Sequence, residues 1–308
     1  NAQSRNIEEA LLKANIPYTM VGGTKFYSRK EIRDVISYLN LIANTSDNIS
    51  FERVVNEPKR GVGPGTVEKI RNFAAGQEMS LLDASSQIML SPVKGKAAQA
   101  VFDFANLILN LRERLDELTV TELVELVLER TGYTEQLVAQ ATLESQARIE
   151  NIEEFLSVTK NFDEDSENDT EETGLDRLSR FLNDLALIAD TDDGNQESSE
   201  VTLMTLHAAK GLEFPVVFII GMEENVFPLS RAAEDEDELE EERRLAYVGI
   251  TRAEKVLFLT NANSRLLYGK TNYNRPTRFL NEISSSLLDY QGLARPANTR
   301  SEERRVGK

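Results

Sequence analysis

The chain has 308 residues, a length typical of about two domains, and its 40% hydrophobic and 28% charged residues are typical of a folded globular protein. It has no Cys and a single His, which excludes a disulfide framework, a thiolate zinc site, a Cys nucleophile and a metal centre with several His ligands. We predict no membrane span, because no run of about eighteen apolar residues is present, and the lack of Cys favours a reducing compartment.

The net charge of −17 is concentrated in two segments. Residues 161–200 carry a net charge of −12 and residues 234–242 carry −8, so the rest of the chain carries +3. The total charge argues against a polyanionic partner, but this distribution does not. We therefore expect that surfaces outside the two acidic segments are able to bind DNA or RNA.

The opening of the chain predicts one helix and one strand. Residues 6–15 have the apolar spacing of a helix, and the run 16–21 predicts a short strand that ends at Gly22-Gly23. This helix-plus-strand character differs from the helical region that follows it and resembles the far end of the chain.

Helical periodicity dominates from about Ser28 to Leu187. Ser28 is predicted to cap a helix with one apolar stripe, made of Ile32, Val35, Ile36, Leu39 and Ile42. Similar stripes recur at 93–114, 119–130, 144–160 and 175–189. The stretches 161–173 and 191–200 lack this period, and they predict a solvated loop and a linker.

The pattern changes at Val201 to strands that alternate with helices. Three short β-rich runs predict buried strands at 201–206, 215–221 and 255–260, and residues 236–250 predict one helix. Buried strands that alternate with helices are typical of a parallel sheet. The sequence therefore predicts an α/β domain that is split in sequence by a large all-helical insertion.

Small and polar residues between the first two of these strands predict a ligand-binding loop. In α/β proteins ligands bind at the C-terminal ends of sheet strands. Lys210 and Gly211 offer a cation and an unobstructed backbone amide to a phosphate, and Glu213 is suited to a ribose hydroxyl. An ordinary loop, with His207 as a core residue, is the alternative.

Arg252 follows a helix that is predicted to end near Gly249. An arginine at the edge of a domain can reach a γ-phosphate that is bound elsewhere and can stabilise the charge of the transition state. In the alternative interpretation, Arg243, Arg244 and Arg252 only neutralise the acidic run that precedes them.

Three glycines in residues 61–65 predict a tight turn between two helices. Thr66 or a neighbour is predicted to cap the second helix, so that its N-terminal N–H groups are available to duplex phosphates, with Lys59 and Arg60 beside them. A turn with a purely structural purpose is the alternative.

We predict that residues 264–271 do not form an ATP-binding phosphate loop. Gly269-Lys270-Thr271 matches the end of the phosphate-loop signature, but Ser264 stands where that loop requires glycine. We also predict no metal site in the chain itself.

Together, these segments closely resemble the C-terminal half of the superfamily 1 DNA helicases of the UvrD/Rep/PcrA family. TLHAAKGLEFPVV (205–217) resembles motif V of that family, EERRLAYVGITRA (241–253) resembles motif VI, and NAQSR (1–5) resembles the segment after motif IV. The resemblance covers nearly all of residues 1–290. It implies part of an ATP-dependent helicase that moves 3′ to 5′ and unwinds duplex DNA in repair and replication in the bacterial cytoplasm.

The resemblance also implies a domain organisation. The family has two RecA-like domains, 1A and 2A, which bind ATP between them, and two helical insertions, 1B and 2B. Residues 1–25 and 199–285 match domain 2A, residues 26–198 match the inserted domain 2B, and residues 286–308 form a tail. Residues 300–308 resemble a translated sequencing adapter, and we expect them to be non-native.

Domains 1A and 1B are expected to precede residue 1. In this family they carry the phosphate loop and the ligands of the Mg²⁺ ion that accompanies ATP. We therefore expect the chain to be inactive without them and to have these domains, single-stranded DNA and duplex DNA as its partners.

Individual roles follow from the same resemblance. Arg252 matches the catalytic arginine finger, and Glu213 matches a contact to the nucleotide ribose, with Gly211 and Lys210 beside it. The matches to DNA contacts are Asn1, Thr205, His207 and Tyr268 for single-stranded DNA, and Gly61, Gly63 and Thr66 for duplex DNA. One departure is Leu229, which stands where relatives can carry a DNA-contacting His.

Three other functions stay open. The chain is alternatively a non-catalytic module that binds duplex DNA through residues 26–198, or a subunit of a helicase–nuclease. A protein-interaction scaffold built on the acidic segments 161–200 and 234–242 is the third possibility.

Overall fold

The computed structural model describes residues 3–166, 172–190, 200–267 and 270–291, and it shows a helix-rich α/β protein with small sheets. Of these described residues, one compact unit takes in those up to Ala208 together with those within 266–272, and the other takes in 209–265 together with 273–291. No helix in these described ranges combines the length and the apolar character needed to cross a membrane. The predictions for Asn1, Tyr268, residues 191–199 and the tail from residue 292 lie outside the described residues.

The described residues form eleven α-helices and six short strands. The helices are α1 (Ser4–Lys13), α2 (Lys30–Ala43), α3 (Asn48–Val54), α4 (Pro64–Gln77), α5 (Leu81–Ser86), α6 (Lys96–Glu113), α7 (Val120–Thr131), α8 (Tyr133–Gln140), α9 (Leu143–Ser166), α10 (Gly174–Asp190) and α11 (Glu236–Ile250). The strands are β1 (Tyr18–Val21), β2 (Val201–Met204), β3 (Phe214–Ile219), β4 (Ala253–Leu259), β5 (Arg265–Leu267) and β6 (Lys270–Asn272).

The apolar stripe of α2 is confirmed, whereas its predicted cap is wrong. The side chains of the stripe are buried or partly buried: Ile32, Val35, Ile36, Leu39 and Ile42. Ser28 lies in a 3-10 turn over Phe26–Ser28, so the helix begins only at Lys30. Its N-cap residue is Arg29, whose side chain makes no capping hydrogen bond.

The predicted loop at 161–173 is wrong over its first six residues, because α9 continues to Ser166. Phe162 packs edge-on against Phe181 of α10, with ring centroids 5.0 Å apart. The Asp163 carboxylate accepts hydrogen bonds from Val120 N at 3.0 Å and Thr121 N at 2.9 Å, at the start of α7. The packing of Phe162 and the capping of α7 by Asp163 thus extend the helix into a polar sequence that lacks helical periodicity.

Two strand pairs are parallel, as the alternating pattern predicts. The prediction that the strands after residue 200 are buried is wrong, because β2, β3 and β4 are mostly half-buried or exposed. β1 pairs with β2 from Tyr18–Val201 to Val21–Met204, and β3 pairs with β4. β5 and β6 form a third pair. The first pair brings together residues that lie on either side of the long helical region. Within the described residues the strands form separate two-stranded pairs rather than one continuous sheet.

Aromatic side chains fill the core of the helical region. Tyr38 and Phe51 flank Phe104, with ring centroids 6.2 Å and 5.6 Å from it, and all three side chains are buried. Phe155 and Phe181 form a second edge-on pair, 6.1 Å apart. Aromatic pairs at these separations add to the free energy of area burial and fix the helices against one another.

Gly174, the first residue of α10, lies directly against the backbone of Leu115. A Cβ atom on Gly174 would lie 2.1 Å from Leu115 O and 2.6 Å from Asp116 N. The Gly174 N–H also donates to the Asp116 carboxylate at 2.7 Å. This close approach requires a residue without a side chain, because the opposing atoms belong to the backbone.

We predict that Gly174→Ala lowers the free energy of unfolding by about 1–3 kcal/mol, because the added methyl group forces two backbone segments apart. Gly76→Ala in α4 is the matched control, since a Cβ there meets no atom within 4 Å. The control is expected to be neutral or to stabilise by about 0.5 kcal/mol. Urea unfolding followed by circular dichroism makes the comparison, and equal stability of the two variants would contradict the prediction.

Candidate functional site

The loop that follows β2 begins with two of the predicted DNA contacts. Thr205 is the first residue after the strand, and its Oγ1 accepts a hydrogen bond from Ala208 N at 3.3 Å, which tightens the turn. The His207 side chain is exposed, so the alternative interpretation of His207 as a core residue is wrong. Gly22, at φ +73°, lies where a Cβ would be 3.2 Å from the Ala208 Cβ, so a small residue is needed beside this loop.

The second half of the loop exposes the residues predicted to contact a nucleotide. Lys210, Gly211 and Glu213 are all exposed. Gly211 adopts φ +84°, a conformation that favours glycine, and a Cβ on it would meet no atom within 4 Å. Ala209 is buried and anchors the loop, and its carbonyl accepts from Leu212 N at 3.1 Å. The backbone at Gly211 is therefore open to an approaching phosphate.

Arg252 lies just beyond the C-terminus of α11 and binds this loop. Its Nη1 donates to Leu212 O at 2.8 Å, its Nε donates to Val248 O at 3.0 Å, and its Nη2 donates to the Thr251 hydroxyl at 3.0 Å. Its own carbonyl accepts from Phe214 N at 2.9 Å. The structure thus brings together Arg252 and the loop at 210–213, which lie about forty residues apart along the chain.

Two carboxylates of the acidic run before Arg252 are paired with other arginines. Asp235 caps α11 through hydrogen bonds from Asp237 N and Glu238 N, a favourable position for a carboxylate at a helix N-terminus. Arg243 binds Glu240 and Glu282, and Arg244 binds Glu241 at 2.8 Å. The alternative interpretation therefore holds for Arg243 and Arg244, whereas the hydrogen bonds of Arg252 go to backbone carbonyls and a hydroxyl.

The glycine-rich turn joins α3 to α4 and has an open outer face. A Cβ on Gly61 or Gly63 would meet no atom within 4 Å. Gly63, and not Thr66, is the N-cap of α4, and Thr66 lies in the first turn, with its N–H donating to Gly63 O at 2.9 Å. The Arg60 side chain is directed toward the protein rather than toward solvent, which corrects its expected place beside the phosphates.

Glu223, which follows β3, is a residue that the sequence patterns do not single out. Its buried carboxylate accepts from Ala262 N at 2.7 Å and from the Arg265 guanidinium at 2.6 and 3.0 Å. It ties the segment after β3, which contains Leu229, to the segment after β4, which leads to Tyr268. A Glu just past an apolar run gives no sequence signal for such a contact, because its partners lie about forty residues away.

Two of the predicted DNA contacts, Asn1 and Tyr268, lie outside the described residues. Leu229 is partly exposed and offers no hydrogen-bonding group in the place of the family His. Within the described ranges, no three His, Asp or Glu side chains are grouped so that they could hold a metal ion.

The chain matches the family described as UvrD-like helicase C-terminal domain over residues 1–264. It is 56% identical over 298 residues to the ATP-dependent DNA helicase PcrA of Leuconostoc citreum, which covers 96% of the chain and 40% of the relative. It is 55% identical over 295 residues to the protein of the same name from Bacillus subtilis, with 94% and 39% covered. The PcrA protein of Staphylococcus aureus is 50% identical over 291 residues. The chain thus spans about two fifths of the length of these curated relatives.

We predict that Glu223→Gln lowers the free energy of unfolding by about 3 kcal/mol at pH 7, because it breaks a buried ion pair. Burial raises the pKa of the Glu223 carboxyl, but hydrogen bonds from Arg265 and Ala262 N outweigh burial and lower this pKa below its ordinary value of 4.5. The stabilisation is therefore complete above pH 4.5 and is lost as the pH falls through the lower folded-state pKa.

Urea titrations of both proteins from pH 7 to pH 3 test this prediction. The difference in the free energy of unfolding between wild type and Glu223→Gln should shrink at the acid end. A difference that stays constant across this range would contradict the stabilising role of the ionised Glu223 carboxylate. The control is Glu282→Gln, which removes the exposed partner of Arg243 and is expected to change stability by less than about 1 kcal/mol.

Proposed function

The chain belongs to the family of UvrD-like helicase C-terminal domains, and on that premise we propose that it forms the C-terminal part of an ATP-dependent DNA helicase. The proposed enzyme moves 3′ to 5′ along single-stranded DNA and unwinds duplex DNA in repair and replication. The observation that carries the proposal is the hydrogen bond from Arg252 to Leu212 O, because it joins the candidate arginine finger to the candidate nucleotide-binding loop. The relatives, which are named ATP-dependent DNA helicases, support the choice of substrate.

We propose that residues 1–25 and 199–285 form a RecA-like domain 2A, into which residues 26–198 are inserted as domain 2B. The parallel pair of β1 and β2 supports this division, because it holds the two sides of the insertion together. Residues 286–308 are proposed to be a tail. In this scheme the all-helical segment is an insertion in an α/β domain.

Arg252 is proposed to act as the arginine finger. Its guanidinium donates to the carbonyls of Leu212 and Val248, which are neutral acceptors. A phosphate oxygen is a stronger acceptor for a guanidinium, because the hydrogen bond is assisted by charge. The γ-phosphate would therefore draw Arg252 away from Leu212 O, and this release would free the loop that carries the nucleotide contacts.

The same loop is proposed to contact both ligands of the motor. Lys210 and the Gly211 amide would bind phosphate, and Glu213 would accept a hydrogen bond from the ribose. Thr205 and His207, a few residues earlier in the loop, would contact single-stranded DNA together with Asn1 and Tyr268. A change in the nucleotide state is then transmitted to the DNA contacts along a few residues of backbone.

The remaining parts of the ATP site are proposed to come from domains 1A and 1B of the same protein. Mg²⁺ prefers oxygen ligands such as Asp and Glu carboxylates. As the family resemblance implies, we assign the Mg²⁺ ligands to those domains and propose that the chain alone does not hydrolyse ATP. The relatives are bacterial, which supports a cytoplasmic location.

The second candidate function is a duplex-binding module without catalysis, alone or within a helicase–nuclease. The open glycine turn between α3 and α4 favours it, because that surface needs no ATP to bind DNA. The coding sequence before residue 1 separates the two functions. A phosphate loop of the form G-x-x-x-x-G-K-[ST] supports the motor, and its absence supports the module.

In the complete protein we predict that Arg252→Ala lowers DNA-stimulated ATP hydrolysis by at least about 100-fold, while the affinity for ATP falls far less, because the arginine acts in the transition state. Steady-state kinetics over a range of ATP concentrations measure both effects. Arg244→Ala is the control, since this exposed arginine binds Glu241 and is expected to keep near-normal turnover. Near-normal turnover of Arg252→Ala would refute the arginine-finger assignment.

We predict that Gly63→Leu raises the Kd of the chain for duplex DNA by about tenfold, because the side chain covers the N-terminus of α4. Gly63 has φ −82° and ψ 172°, which any residue adopts, so the fold should tolerate the change. Gly76→Leu, in the last turn of the same helix, is the control and is expected to bind normally. Fluorescence anisotropy at low salt measures both, and equal affinity of the two variants would contradict the proposed duplex surface.

A further inference from the structure

The side chain of Arg60 lies under the glycine turn and not on its outer face. Its Nη1 donates to Val54 O at 3.0 Å and to Pro58 O at 3.2 Å, with a longer bond to Val55 O. Its Nη2 donates to the Tyr38 hydroxyl. One guanidinium thus binds oxygens from the end of α3, from the turn itself and from α2.

The surface beneath this guanidinium consists of two buried aromatic rings. Arg60 lies over the rings of Tyr38 and Phe104, 5.9 Å and 5.3 Å from their centroids. Both rings are fully or almost fully buried in the helical core. A planar guanidinium stacks well on aromatic faces, whereas a lysine ammonium group does not fill the same space.

Tyr38 completes the connection to the turn. Its hydroxyl donates to Glu57 O at 2.7 Å while it accepts from Arg60. Burial raises the pKa of Tyr38 to about 12, against a smaller lowering by Arg60, so the hydroxyl keeps its proton at neutral pH. The donor that holds Glu57 O is therefore present under all physiological conditions.

Backbone N–H groups on the inner side of the turn are also bound. Asn56 Oδ1 accepts from Arg60 N at 2.9 Å and from Val62 N at 3.0 Å. The open positions on the outer side are Gly61 and Gly63. The inner contacts fix the backbone, and the fixed backbone determines where the N-terminus of α4 meets a ligand.

We propose that Arg60 is a positioning residue for duplex DNA, which holds the glycine turn in its binding conformation without contacting phosphate. This inference rests on the proposed duplex-binding function of the turn. It assigns different roles to two adjacent basic residues. The exposed Lys59 supplies positive charge to the surface that would bind DNA, and Arg60 holds the backbone of the turn in place.

The salt dependence of binding separates these two roles. Each phosphate contact made by a basic residue contributes about 0.9 to the slope of log Kd against log salt concentration. Loss of a contacting charge therefore lowers the slope, whereas loss of a positioning residue raises Kd at an unchanged slope. A role limited to overall stability would change neither quantity in the folded protein.

The experiment measures binding of the 308-residue chain to a short fluorescein-labelled blunt duplex by anisotropy over a series of KCl concentrations. The variants are Arg60→Lys, which keeps the charge, Arg60→Gln, which removes it, and Lys59→Gln, which removes the adjacent charge. We expect both Arg60 variants to raise the duplex Kd by about tenfold or more at an unchanged slope, whereas a slope lowered by about one in Arg60→Gln would show that Arg60 contacts a phosphate and would overturn the inference. We expect Lys59→Gln to lower the slope by about one. Binding to a single-stranded oligonucleotide should be unchanged in all three variants.

Wild-type duplex affinity of Arg60→Lys would overturn the inference. If that variant does not fold, Tyr38→Phe replaces it, since this change keeps the buried ring and removes only the hydroxyl that binds Arg60 and Glu57 O. A higher duplex Kd for Tyr38→Phe supports the inference, and a wild-type Kd overturns it. Failure of the wild-type chain to bind duplex DNA at low salt would overturn the proposed duplex function and the inference with it. Normal wild-type binding with an unaffected Arg60→Lys overturns the inference alone.

Discussion

The parallel pairing of β1 with β2 is the constraint on which the arrangement of the first compact unit depends. It joins Tyr18–Val21 to Val201–Met204, so a helical region of about 180 residues leaves and returns at the same place. Parallel strands need such a crossover, and here the crossover is large enough to contain its own aromatic core. The pairing also sets Gly22 beside Ala208, in the loop that begins the candidate site.

A hydrogen bond to a backbone carbonyl connects Arg252 with the loop at 210–213. Leu212 O accepts from Arg252, and Phe214 N donates to the Arg252 carbonyl, so the arginine is held from both sides by one short stretch of chain. Neutral carbonyl acceptors hold a guanidinium firmly enough to orient it and weakly enough for a charged acceptor to displace it. This balance suits the proposed arginine finger, which would exchange partners in every catalytic cycle.

Local patterns predicted much of the fold, and long-range polar contacts account for most of what they missed. The stripe that contains Ile32 and Leu39 and the helix at 236–250 follow from periodicity alone. The extension of α9 past residue 160 depends on Asp163 bonds to the start of α7, about forty residues earlier. Arg60 has a basic side chain like that of Lys59, and only the position of Tyr38 and Phe104 directs it inward. The proximity of Arg252 to residues 210–213 was implied by family resemblance and not by any spacing in the chain.

The glycine turn between α3 and α4 presents backbone where most DNA-binding surfaces present side chains. Base pairs are distinguished by side chains that reach the edges of the bases in the grooves. In the proposed interface, amide groups near the open Gly61 and Gly63 would meet phosphates instead, and phosphates are alike at every step of the double helix. A duplex held in this way is gripped equally well whatever its sequence. For the proposed translocating helicase, the missing side chains would remove preferred sites at which it would otherwise stall.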